Sequence, residues 1–68
     1  MSYVATKDSD QWIKVTDIST GSYRMIGNFA GGIESYSVSG ETVAVKERGW
    51  STVKVYCCRT GNHIRNIN

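Results

Sequence analysis

The stretch Gly32–Asn68, GIESYSVSGETVAVKERGWSTVKVYCCRTGNHIRNIN, decides the fold. It holds four short runs with strand character, Ile33–Ser39, Thr42–Glu47, Thr52–Cys58 and His63–Asn68. Ser39-Gly40, Arg48-Gly49 and Thr60-Gly61 separate them. Runs of this length, rich in Val, Thr, Ile and Tyr and bounded by glycine-bearing turns, predict antiparallel strands joined by hairpins. Residues 32–68 therefore read as a four-stranded antiparallel meander.

Upstream of this unit the same pattern appears three times. Tyr3–Lys7 alternates, with Val4 and Thr6 on one face and Ala5 and Lys7 on the other. Asp8-Ser9-Asp10 is read as a turn. Trp12–Ile18 alternates again, setting Ile13 and Val15 against Lys14 and Thr16. After the turn Ser19–Ser22, Tyr23–Phe29 forms a third run, in which Gly27 marks a bulge or a close approach. Ala30-Gly31-Gly32 leads into the second unit as a turn with positive φ. No stretch carries a helical apolar period, so the expectation is all-β, about seven short strands in one small domain. Residues 1–29 form a partial unit and residues 32–68 a complete one.

The two units are related in sequence. Val4-Ala5-Thr6-Lys7 aligns with Val43-Ala44-Val45-Lys46, Ile13-Lys14-Val15 with Val53-Lys54-Val55, and Thr20-Gly21 with Thr60-Gly61. Trp12 and Trp50 both fall in the link between matched runs. A repeat of about 40 residues built from four strands is the signature of a propeller blade. Thr52-Val53-Lys54-Val55-Tyr56, Thr60-Gly61 and Ile64, with their echo Ile13-Lys14-Val15-Thr16-Asp17 and Thr20-Gly21, resemble the third strand, turn and fourth strand of WD40-type or related β-propeller blades. Ile33–Gly40 resembles the inner strand. The blade pattern's Gly-His dipeptide is missing, and so is its paired Trp-Asp: Thr16-Asp17 keeps the acid and Tyr56-Cys57 only an aromatic.

The resemblance implies a strand order B-C-D, then A-B-C-D, so the first unit lacks an inner strand. A closed propeller needs about four to eight blades, and a lone unit leaves an apolar face uncovered. Completion by homo-oligomerisation is therefore expected, as a ring with a heterologous interface. The alternatives are a small sandwich of the two meanders, with or without strand exchange between protomers, and a five-stranded SH3-like barrel.

Size points the same way. A chain of 68 residues and 7.5 kDa supports only a marginal core, and such chains recruit disulfides, metals or partners. Cys57 and Cys58 are adjacent, and neighbouring Cα atoms, about 3.8 Å apart, are too close for a relaxed disulfide. Free thiols suit a reducing compartment. With His63 as the lone histidine, a metal site lacks a tetrahedral ligand set, and neither metal nor cofactor is expected. There is no signal-peptide pattern and no membrane-length apolar run, so a cytoplasmic location is expected. The net charge of +2, with both signs interspersed, does not require a polyanion. Lys7, Lys14, Lys46 and Lys54 read as solvated strand faces rather than a nucleic-acid stripe.

Functional expectations fall on aromatics. Trp12 and Trp50, joined by Tyr36 and Tyr56, form the candidate binding set for a protein or glycan ligand, against packing or subunit contact as the competing role. The Cys57-Cys58 pair and His63 lack the neighbours that nucleophilic or acid–base work requires, and no enzyme is expected. The reading is a non-enzymatic, self-assembling β-repeat module, with lectin-like sugar binding through Trp12 and Trp50 as the alternative.

Overall fold

Alternating side chains and glycine turns organise the chain as seven antiparallel strands in a computed structural model that describes residues 2–68. The strands are β1 (Tyr3–Ser9), β2 (Trp12–Asp17), β3 (Tyr23–Gly27), β4 (Ile33–Ser39), β5 (Thr42–Glu47), β6 (Val53–Cys57) and β7 (His63–Ile67). β1-β2-β3 make one sheet and β4-β5-β6-β7 the other, each strand paired with its sequence neighbour. No described residue is helical.

The strands do not close into a barrel, which removes the SH3-like alternative. The link from β3 to β4 shows why. Its backbone groups are spent on turns instead of on a β3–β4 ladder: Phe29 N donates to Gln11 O (2.9 Å), Gly32 N to Phe29 O (2.9 Å) and Ile33 N to Asp10 O (2.8 Å). The chain thus steps from one sheet to the other. Ile13, Val15 and Ile26 of the first sheet meet Val43 and Val45 of the second in one core, with Phe29, Ile33 and Cys58. Burial of such side chains contributes roughly 1.5–3 kcal/mol each.

Strand ends differ slightly from the expected ones. β1 runs on through Asp8 and Ser9, with a register shift between Lys7 and Ser9, because polar side chains are tolerated on an edge strand. The polar turn is accordingly shorter, at Asp10-Gln11. β2 stops at Asp17, whose N–H and C=O turn to Ser22 O and Gly21 N (both 2.8 Å).

The sequence repeat is preserved in register. The cross-strand row Ala5–Val15–Arg24 in the first sheet corresponds to Ala44–Val55–Arg65 in the second, and Lys7–Ile13–Ile26 to Lys46–Val53–Ile67. On the opposite faces, Thr6–Lys14–Met25 corresponds to Val45–Lys54–Asn66, and Val4–Thr16–Tyr23 to Val43–Tyr56–His63. The turns match as well: Cys57 N donates to Asn62 O (2.8 Å) and Gly61 N to Cys57 O (2.7 Å), as Asp17 and Gly21 do in the first unit. Gly21 and Gly61 take the same left-handed conformation, φ 78° and 81°, which only glycine adopts without strain.

Gly27 is a close approach. A methyl group there would stand 2.7 Å from Gln11 O and 2.8 Å from the Trp12 ring. Gly27→Ala is expected to lower unfolding free energy by about 1–3 kcal/mol through overpacking, read from the urea midpoint at unchanged m-value.

Candidate functional site

One end of the molecule gathers the β1–β2 turn, the β5–β6 link and the β3–β4 link into a rim. Its hinge is Glu47, at the end of β5, whose side chain is only 7% exposed. A buried carboxylate needs partners. Glu47 Oε1 accepts from Lys54 Nζ at 2.7 Å, and Oε2 accepts from Gly31 N at 3.3 Å. Lys54 and the two hydrogen bonds hold the Glu47 carboxyl below its ordinary range against the opposing effect of burial, and Glu47 raises Lys54 in turn. Beside it, Arg48 donates to Asp10 Oδ2 at 2.8 Å and Lys7 reaches Asp10 Oδ1 at 3.3 Å. Those cations bring the Asp10 pKa down to about 2. Arg48 N also donates to Gly32 O (3.0 Å), so the rim is a network tying both sheets to the link.

Trp12 and Trp50 stand on this rim, Trp12 as the first residue of β2 and Trp50 in the β5–β6 link. Trp12, 36% exposed, lies across Gly27 on the face of the first sheet turned away from the core. Trp50, 57% exposed, lies beside Gly31, with the Lys54 ammonium 5.9 Å from its ring centroid, a cation–π distance. The two tyrosines stand elsewhere. Tyr56 packs edge-on against Phe29, ring centroids 5.7 Å apart, and against His63 at 5.3 Å, and is a packing residue. Tyr36, opposite Val45 on the outer strand β4, is 37% exposed. The aromatic set is thus divided: the tryptophans share a rim and the tyrosines do not join them.

At the opposite end, a cleft of about 220 Å³ opens between the sheets, lined by Tyr3, Asp17, Tyr23, Arg24, Cys58 and Arg59 among others. The two cysteines are free. Cys57 occupies the place of Asp17 in the matched turn. Asp17 Oδ1 accepts from Ser19 Oγ (2.7 Å) and Ser19 N (2.9 Å), and the Cys57 thiol is lowered by hydrogen bonds from Thr60. Burial raises Cys58. His63 Nε2 lies 2.7 Å from Asn66 Oδ1. Among the described residues, no three His, Cys, Asp or Glu side chains cluster as metal ligands, and no helix is long and apolar enough to cross a membrane.

The lysines expected on solvated faces are largely paired: Lys46 with Glu34 at 2.9 Å, Lys54 with Glu47 at 2.7 Å and Lys7 with Asp10 at 3.3 Å. Glu47 and the Asp10–Arg48 pair were not singled out by sequence reasoning. The pattern hinted at Glu47 alone, since it continues the buried alternation Val43, Val45, Glu47. No protein-family model, curated protein or solved structure matches the chain.

Both rim carboxyls are depressed in the folded state, so their contribution is complete above the unfolded values, 4.5 for Glu47 and 3.8 for Asp10. It is lost as pH falls through the lower folded values. Thermal melts by circular dichroism are expected to drop steeply below about pH 4.5. Glu47→Gln should cost about 1–3 kcal/mol at pH 7 and flatten that acid limb; an unchanged acid limb would exclude Glu47 as its source.

Proposed function

We propose that this chain is a non-enzymatic, self-assembling β-repeat protein that serves as a binding or structural module, its units blade-like. One observation carries the reading. Two related units already share one buried sheet-to-sheet core, yet Val4 (45%), Ile18 (58%), Tyr23 (63%) and Ile67 (51%) stand exposed on the outer parts of both. Repeat units of this kind bury such faces by stacking on neighbours. The pairing of rim acids with Lys and Arg supports a structural role for those groups over acid–base work.

Light scattering on a size-exclusion column, with protein loaded up to about 1 mM, is expected to give a mass that is a multiple of the 7.5 kDa chain. A monomer throughout that range overturns self-assembly.

A second reading, sugar binding through Trp12 and Trp50, is supported by the exposure of both indoles on one rim. Stacking of a sugar ring on either indole is expected to shift or quench Trp emission in a glycan panel. No response to any glycan rejects it.

A further inference from the structure

The matched rows of the two sheets define what the outer faces fit. The core is built from unlike faces. The first sheet contributes the rows Ala5–Val15–Arg24 and Lys7–Ile13–Ile26, and the second contributes Val45–Lys54–Asn66 and Val43–Tyr56–His63. Each contributing face has a repeat-equivalent that stays outside. The counterpart of the first sheet's core face is the outer face of the second, Ala44–Val55–Arg65 and Lys46–Val53–Ile67. The counterpart of the second sheet's core face is the outer face of the first, Thr6–Lys14–Met25 and Val4–Thr16–Tyr23.

Exposure follows this equivalence at the ends of the rows, whereas at their centre Val55, 6% exposed, is nearly as covered as its counterpart Val15 at 1%. Val43 is 0% exposed and its counterpart Val4 45%; Cys58 is 2% exposed and its counterpart Ile18 58%. Cys58 N and Ile18 N make the same bond, to Glu41 O (2.7 Å) and Ser2 O (3.0 Å), so the backbone is alike and only the cover differs. On the other side, Ile26 is 3% exposed and Ile67 51%. Arg24 lies over the second unit's turn, where a methyl group on Gly61 would be 2.8 Å from its Cδ. The matching Gly21 has nothing within 4 Å of such a methyl group.

Resting on the self-assembly reading, we infer that a second copy of this chain docks head to tail. The outer face of its first sheet (the head: Val4, Ile18, Met25) covers the outer face of the second sheet (the tail: Val53, Arg65, Ile67), repeating the interface inside the chain. Arg65 of one copy then lies over Gly21 of the next, as Arg24 lies over Gly61. The head is more polar than its internal counterpart, with Thr6 for Val45 and Thr16 for Tyr56, so the contact between copies is the weaker one and depends on concentration. Because head and tail differ, every docked copy leaves one of each free, and assembly closes as a ring or extends.

The test uses one blocked surface per chain. Ile18→Lys closes the head, and Ile67→Lys closes the tail; both positions are exposed, so folding, checked by circular dichroism, should be retained. Val4→Lys is a second head block should Ile18→Lys unfold, and Arg65→Asp a second tail block should Ile67→Lys unfold. Each variant alone is expected to run at the mass of one chain, and an equimolar mixture at the mass of two and no more, since one intact tail meets one intact head. If the unmodified chain assembles but the mixture stays at one chain, or if either variant alone assembles as the unmodified chain does, the head-to-tail interface is overturned while self-assembly stands. If the unmodified chain is itself monomeric, both fall.

Discussion

The Glu47 carboxylate is the constraint on which the relative placement of the sheets depends. Taking a carboxylate out of water is costly unless its oxygens are satisfied, and its two partners lie in different parts of the fold. Lys54 belongs to the neighbouring strand of the same sheet, whereas Gly31 N belongs to the link arriving from the other sheet. Satisfying the charge therefore draws that link onto the end of β5. The Asp10–Arg48 pair, exposed and individually weak, closes the same end from the other side. With the rim fixed, Phe29 and Ile33 are carried into the core, and the two apolar faces meet.

The strands were legible because each is a short alternating run ended by a glycine or Asx turn, and local rules of that kind act within the hairpin itself. Val43-Ala44-Val45-Lys46 and Ile13-Lys14-Val15 placed their apolar residues on the faces that the structure buries. The repeat was legible for the same reason: rows of matched residues keep matched registers. How the two units meet was not, since it depends on the route of residues 28–32. The N–H groups of Phe29 and, just after that segment, Ile33 reach back to Gln11 and Asp10, about twenty residues away in the chain, a spacing that no local pattern encodes. For this reason a barrel and a pair of packed sheets looked alike in the sequence.

The candidate site was half legible. Trp12 and Trp50 fell on one rim because the start of β2 and the link into β6 lie at the same end of matched hairpins. Tyr56 looked equivalent to them as an aromatic, but its partner Phe29 comes from the link, and the ring is drawn into the packing. Glu47 was hidden for a more general reason. At the end of an alternating strand, an acid can point into solvent or into the core with the same sequence pattern, and only the arrival of the Lys54 ammonium and an unpaired N–H decides between them.

The first sheet has three strands and the second four, and this makes near-copies in sequence unequal in durability. β5 is hydrogen-bonded along both edges, to β4 and β6, whereas β1 is paired along one edge, to β2. Openings that expose backbone amides begin where fewer bonds must break. The amino-terminal unit is thus the part that breathes, and the carboxy-terminal unit the platform against which it recloses. Two stretches that share a pattern diverge in lifetime because one is flanked and the other lies at a border.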